Sequence, residues 1–299
     1  MAGRNLRLIL NGKKAGNPSV REAVDHVRKL GHTVDVRATW EAGDAVRFAA
    51  EALDAGVDVI VAGGGDGTVN EVVNGIFAAT DTPESAMGAL PLGSANDFAT
   101  GNGIPLGNPT EALELIATAE PTAIDVGKVN DLYFLNAVIA GFGAEVTFNT
   151  SERLKQTIGG AAYALTGFIT AIKHTAYKGR VAWDGGSRDD IMLIAAVSNS
   201  ILGGGFQIAP KAKLDDGLLD VVTVQDFPIK ELPTVIKGMQ NLGKEESQFV
   251  QYLQVPWFDV EAEREIPLAV DGELMSGSQF RFKILKQRLP FILPQDIDP

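Results

Sequence analysis

The sequence predicts an α/β domain with a doubly wound parallel sheet, then an all-β, sandwich-like domain, with a cleft between the two. Three observations carry this expectation. Strand-length apolar runs alternate with helical periodicity up to the neighbourhood of Pro121. Two glycine-bearing turns, at Gly63 and at Gly93, each follow such a run directly. From Ile124 onward, strand-like runs separated by tight turns dominate instead.

Each element follows from its residues in order. Leu6 to Leu10 is a short apolar strand. Asn17-Pro18 supplies a helix cap with proline at the first helical position; Val20, Val24, Val27 and Leu30 keep helical spacing until Gly31. Val34 to Ala38 is the second strand. In the next helix Val46, Ala49, Ala50 and Leu53 share one face, and Gly56 ends it. Val57 to Ala62 is the third strand, with Val69, Val72, Val73, Ile76 and Phe77 marking the helix behind it. Ala86 to Leu92 is the fourth, and Asn108-Pro109 opens a helix through Leu113 and Ile116. Repeated strand-helix-strand units imply parallel strands covered on both faces, with ligands beyond their carboxyl ends.

The second half reads differently. Ile124 to Val129 and Leu132 to Ile139 flank Asn130-Asp131 as a hairpin, and Val181 to Trp183 and Ile191 to Val197 flank Asp184-Gly185-Gly186 likewise. Leu218 to Val224, Gln251 to Val255, Trp257 to Val260, Leu268 to Val270 and Phe280 to Leu285 add strands. Helical stretches near Leu154 to Lys173 and Lys230 to Leu242 interrupt them. The expected domains are residues 1–122 and 123–299, with the last residues free to pack back on the first.

Composition narrows the function classes. A net charge of −12 without a basic, aromatic-interleaved patch disfavours nucleic acid as partner. With no cysteine and only His26, His32 and His174, thiolate and histidine-built metal sites have no support. Met1 to Asn5 lacks a signal-peptide layout, and no apolar run approaches the roughly 20 residues of a membrane span. The expectation is a cytoplasmic protein with, for a lipid substrate, transient peripheral membrane contact.

The sharpest chemical signal is Val59-Ile60-Val61-Ala62-Gly63-Gly64-Gly65-Asp66-Gly67-Thr68-Val69-Asn70-Glu71. Here a buried strand gives way through four glycines to a helix. Glycine lets backbone approach a ligand closely, and N–H groups at a helix N-terminus favour an anion such as phosphate. No lysine follows the glycines, so this is not a Walker loop. Asp66 would repel a triphosphate unless a cation or a donor hydroxyl intervened.

Gly64-Gly65-Asp66-Gly67-Thr68 with Asn70-Glu71 resembles the nucleotide loop of diacylglycerol kinases, sphingosine kinases and bacterial relatives, and more distantly that of NAD kinases and phosphofructokinases. Leu90-Pro91-Leu92-Gly93-Ser94-Ala95-Asn96-Asp97 resembles that family's second loop, with Ser94 where threonine is usual. Thr39 with Gly43-Asp44-Ala45, Gly203-Gly204-Gly205-Phe206 through Pro210, Asp216-Gly217-Leu218-Leu219-Asp220 and Asp271-Gly272-Glu273 extend the likeness over nearly the whole chain. Asn11-Gly12 departs from the usual Asn-Pro, which weakens any role carried over to Asn11. The resemblance implies an ATP-dependent lipid kinase of the diacylglycerol-kinase-like family. Thr39, Gly63, Gly64, Gly65, Asp66, Gly67, Thr68, Val69, Asn70, Glu71 and Ser94 would bind ATP, and Asp66 would also serve catalysis. Asp216, with the carbonyls of Lys213 and Leu218, would hold Mg²⁺, or Ca²⁺ as the alternative hard cation. Glu273 would be the general base on the acceptor hydroxyl.

Taken alone, Asp215-Asp216-Gly217 reads as a plain turn and Asp271-Gly272-Glu273 as a hairpin turn. The apolar stretch Leu154 to Lys173, flanked by Arg153, Lys155, Lys178 and Arg180, suits either an anionic lipid surface or packing on the β domain. The competing functions are a NAD kinase or other small-molecule kinase on the same scaffold, and a non-catalytic nucleotide or lipid sensor.

Overall fold

The computed structural model describes residues 3–141 and 176–295. The chain divides into two compact units, the first comprising Met1–Val126, Tyr133–Leu135 and Leu285–Pro299, the second Gly127–Leu132 and Asn136–Ile284.

In the first unit, strands β1 (Asn5–Leu10), β2 (Thr33–Ala38), β3 (Val59–Gly64) and β4 (Ala86–Pro91) form a parallel sheet in the order β4-β3-β1-β2. The end of the chain's last strand joins it, with Phe291 beside Met87 of β4. Helices α1 (Pro18–Lys29) and α5 (Pro109–Thr118) cover one face, α2 (Asp44–Asp54) and α3 (Asp66–Ala79) the other. Asn17 and Asn108 cap α1 and α5, accepting from Ser19 and Glu111 N–H, and proline follows each. Leu6, Leu8, Val59 and Val61 are buried against Val20, Val24, Leu113 and Ile116. Each such aliphatic side chain contributes about 1.5–3 kcal/mol by leaving water.

Two details depart from the sequence reading. The buried side of α2 is Ala45, Ala49 and Ala52, while Val46, Ala50 and Leu53 stay half-buried. The cause is close approach to α3 at Gly75, where a Cβ would stand 2.9 Å from the Ala49 Cβ and 2.6 Å from the Val46 carbonyl. Only a small-residue face fits there. A five-residue helix, α4 (Asp97–Gly101), also follows the second loop, where the sequence signals none.

Strands of the second unit are antiparallel. The 127–129 end of β5 (Thr122–Val129) and Leu132, the first residue of β6 (Leu132–Phe134), belong to it, followed by β7 (Ala137–Gly141), β8 (Tyr177–Trp183) and β9 (Gly186–Ser198). A small hairpin of β10 (Leu202–Gly203) and β11 (Phe206–Gln207) precedes β12 (Leu219–Gln225), β13 (Val250–Val255), β14 (Trp257–Val270) and β15 (Glu273–Phe291). The long strands β9 and β14 hold β8 and β7 end to end between them, with β12 and β13 beyond β9 and β15 beyond β14. Helix α6 (Leu232–Gln240) packs its buried Val235 with Val222, Val224, Phe227 and Phe249. The expected strand Leu132 to Ile139 breaks into β6 and β7 at Leu135-Asn136, where Asn136 N–H turns to Asp271 and its carbonyl to Asn199 and Ser200. Trp257 to Val260 and Leu268 to Val270 are two ends of the single strand β14, whose register shifts between Glu261 and Ile266. The stretch Leu154 to Lys173 lies outside the described residues.

Candidate functional site

In the first unit, the segments following β1, β2, β3 and β4 meet at the carboxyl ends of those strands. Gly63 and Gly64 belong to β3 itself, and their carbonyls accept from Asn11 N–H (2.8 Å) and Leu92 N–H (2.7 Å). The turn proper therefore starts at Gly65, whose extended backbone (φ −96°, ψ −171°) leads straight into α3, an end that no side chain caps. Space rather than dihedral angle demands glycine. A Cβ on Gly93 would stand 2.5 Å from the Gly65 Cα, so the two loops lie backbone against backbone. A Cβ on Gly64 would collide with the Thr68 side chain, which folds back over β3.

Several side chains lock this cluster. The Asp66 carboxylate accepts from Phe98 N–H at 3.1 Å, coupling the first turn of α3 to the second loop. Phe98 is buried against Phe291, ring centroids 5.0 Å apart. Asn96 sits in the left-handed region (φ 52°), accepting from Gly93 N–H at 2.8 Å and donating to the Gly93 carbonyl at 3.0 Å. This small ring holds Ser94 out at an exposed tip. The Thr39 hydroxyl accepts from Gly12 N–H at 3.1 Å. Asp44, in the motif after Thr39, accepts from Trp40 N–H (2.7 Å), Glu41 N–H (3.1 Å) and the Arg47 guanidinium (2.6 Å). Those two N–H groups first, then Arg47, hold its carboxyl down at about 2. Its task here is to fix the bend that carries Thr39.

Not every residue of the glycine motif faces this surface. Val69 and Asn70 are buried, and the Asn70 amide donates to the Tyr133 carbonyl at 2.9 Å while Asn74 donates to Asn70 Oδ1 at 3.1 Å. Tyr133 stacks on Phe77, 4.6 Å between centroids, so Asn70 anchors α3 from within. Glu71 is half-buried one residue further on. Conversely, Asn11 enters the cluster unheralded: its amide donates to the Thr68 hydroxyl at 3.2 Å. Its position just past the carboxyl end of β1 was the available signal.

In the second unit the structure brings Asp216 and Leu218 into one turn, with Leu218 N–H donating to Asp216 Oδ1 at 2.9 Å and Gly217 at φ 79°. Lys213 is exposed just before it. Beneath, Asp220 of β12 is fully buried. Desolvation first, and the charge of Asp216, push its carboxyl up to about 6, although the Tyr252 hydroxyl donates to its Oδ1. Burial, with Asp220 beside it, raises the Tyr252 phenol well above its usual range. Asp271-Gly272 is a two-residue hairpin turn with both φ positive (46° and 94°) joining β14 to β15. The Asp271 carboxylate accepts from Asn136 and Ala137 N–H at 3.0 and 2.9 Å, pinning the turn, and Glu273 opens β15 exposed.

Residues 5–129 match the diacylglycerol kinase catalytic domain model, and residues 136–293 match that of the YegS C-terminal NAD kinase beta sandwich-like domain. A Chromohalobacter salexigens protein named a probable YegS-like lipid kinase is 45% identical over 290 residues, 96% of this chain and 93% of that one. The chain belongs to the YegS-like lipid kinase family. A relative of the same name from Pseudomonas aeruginosa is 43% identical, covering 96% and 93% of the two chains. The crystal structure of a candidate diacylglycerol kinase of Bacillus anthracis strain Sterne superposes with a TM-score of 0.81 at 26% identity, over 99% of this chain and 98% of that one. The family models and relatives make the chain a kinase, built of the α/β domain and the β-sandwich-like domain its sequence predicts.

A YegS-like kinase implies a divalent cation, and the donor chemistry here fits one. Among the described residues no three His, Asp or Glu side chains gather, which leaves carbonyls and at most two carboxylates as donors. Asp216, the Lys213 and Leu218 carbonyls and the orphaned buried Oδ2 of Asp220 form an all-oxygen set in one short segment. No helix among the described residues is long and apolar enough to cross a membrane.

Proposed function

We propose that this kinase transfers the γ-phosphate of ATP to the hydroxyl of a lipid such as diacylglycerol or phosphatidylglycerol, acting from the cytoplasm at a membrane surface. The observation that carries this reading is the backbone-to-backbone closure of Gly65 on Gly93 beside an uncapped helix end. It leaves main-chain N–H groups, rather than side chains, to meet the nucleotide phosphates. Thr39, Thr68 and Ser94 add hydroxyls around them. Asp66, anchored to Phe98, keeps a carboxylate beside the phosphates. Asp216 and the Lys213 and Leu218 carbonyls would hold Mg²⁺, which when bound would supply charge neutralisation. Glu273 accepts the proton of the attacking hydroxyl, the step that a positioned carboxylate accelerates. The protein's share of such a transfer is positioning and charge complementarity.

Incubation with γ-labelled ATP, Mg²⁺ and a panel of lipids in mixed micelles, with NAD in a parallel reaction, tests the proposal. Label is expected in a hydroxyl-bearing lipid. Label in NAD alone, or tight ATP binding without transfer to any acceptor, overturns it.

A further inference from the structure

Asp220 presents a problem that the fold alone does not solve. Its side chain has 0% exposure, and Oδ2 is buried with no hydrogen-bond partner. An orphaned buried carboxylate oxygen is costly, and such groups usually mark a missing ion or water. Gln254, opposite Asp220 in the β12–β13 register, brings its side chain to the carboxylate, but no hydrogen bond of standard geometry reaches Oδ2. The other oxygen is occupied. Tyr252 donates its hydroxyl to Asp220 Oδ1 and accepts from Lys211 N–H at 3.1 Å. One phenol thus ties the carboxylate to the backbone two residues before Lys213. The Lys211 ammonium lies 5.9 Å over the Tyr252 ring, engaged there rather than bonded to Asp220. On the far side of Lys213, Leu218 N–H closes the turn on Asp216. The carboxylate is therefore tied through Tyr252 to the start of the loop that Asp216 closes at its other end.

We propose that Asp220 is a further ligand of the cation site, supplying Oδ2 to a divalent metal held by the Lys213–Leu218 turn, and that Tyr252 is the positioning residue that aims it. This rests on the cation reading given above and extends it by two residues. A second carboxylate gives the site the charge to hold a divalent ion, which one carboxylate and neutral carbonyls do weakly. Tyr252 fixes the carboxylate's orientation, as outer-shell hydrogen bonds do for metal ligands.

Direct binding to the full-length protein provides the test, with Tb³⁺ luminescence sensitised through Tyr252, Mg²⁺ competition and thermal unfolding with and without Mg²⁺. Wild type should bind Tb³⁺ and gain Tm with Mg²⁺. Asp220→Asn keeps an acceptor for Tyr252 and removes a buried charge, so it should fold and unfold no lower than wild type in EDTA. Its Tb³⁺ affinity should drop at least about tenfold, and its Mg²⁺-dependent Tm gain should vanish. Tyr252→Phe removes the sensitiser and is therefore read by thermal unfolding alone, where its Mg²⁺-dependent Tm gain should be reduced but present, unlike that of Asp220→Asn. If Asp216→Ala loses Tb³⁺ while Asp220→Asn binds like wild type, the extension fails and the original site stands. If Asp216→Ala also binds like wild type, or wild type binds nothing, the cation reading itself fails.

Discussion

The Asn11 side-chain amide donates to the Thr68 hydroxyl at 3.2 Å, joining the end of β1 to the first turn of α3. The bond orients one of the hydroxyls proposed to meet phosphate. Asn11→Ala should raise the KM for ATP several-fold, change kcat little, and cost about 1 kcal/mol of stability, the typical worth of such a bond. Steady-state kinetics beside urea unfolding would check it; an unchanged KM would remove Asn11 from the nucleotide cluster.

Asp66 has two tasks, and two substitutions separate them. Its carboxylate accepts from Phe98 N–H, so removing it loosens the second loop as well as altering charge. Asp66→Asn retains an acceptor oxygen, should leave Tm near wild type, and should lower kcat by two orders of magnitude or more. Asp66→Ala should show the same kinetic loss plus a stability loss of about 1 kcal/mol. Wild-type kcat in Asp66→Asn would contradict the role assigned to its charge.

The contact between Gly65 and Gly93 makes a steric prediction. A methyl on Gly93 would stand 2.5 Å from the Gly65 Cα and 2.8 Å from Asn96 Oδ1. Backbone must give way, at about 1–3 kcal/mol. Gly93→Ala should therefore weaken ATP binding measured by calorimetry and lower the urea midpoint together. Tight ATP binding at a lowered midpoint would show that the loops need not touch.

How much of this was legible in the sequence depends on the range of the interaction. The parallel strands, and the helices capped by Asn17 and Asn108, rest on local chemistry and read directly. The apolar side of α2 did not, because Gly75 lies across the structure on α3. In the glycine motif, spacing placed the turn at a strand end but could not separate Gly65 and Asp66, at the surface of the turn, from Asn70, buried behind Tyr133. Asn11 and Asp220 stood in quoted motifs, but their partners could not be read from them for the same reason. Each takes its importance from a partner 57 or 32 residues away.

Acid should reach Asp44 late. Its folded carboxyl sits at about 2, below the ordinary 3.8, chiefly because the Trp40 and Glu41 N–H groups bind the charged form. A depressed folded value means the contribution is complete above pH 4 and disappears as pH falls through about 2. The stability difference between wild type and Asp44→Ala should therefore shrink across that window and hold constant above it. Urea unfolding of both proteins from pH 6 to pH 2 measures the difference directly. A constant gap down to pH 2 would mean that the cap does not depend on charge.

Glu273 poses the sharpest choice, because the turn beside it has a structural explanation of its own. Asp271 and Gly272 adopt positive φ, and the Asp271 carboxylate binds two N–H groups of the Asn136-Ala137 segment, so both residues are accounted for by the hairpin. Glu273 is not: it is exposed at the first position of β15. Replacing it with glutamine changes charge and basicity while keeping size, so Tm should hold. If Glu273 takes the acceptor proton, kcat should fall by ~10²–10⁴ with little change in ATP affinity. Gly272→Ala gives the contrasting pattern, because a side chain at φ 94° strains the turn and lowers Tm, with kcat falling only as far as the turn distorts. A Glu273→Gln enzyme that loses ATP affinity at constant kcat would move the residue into the nucleotide shell, and one with wild-type kinetics would leave the hairpin as its whole explanation.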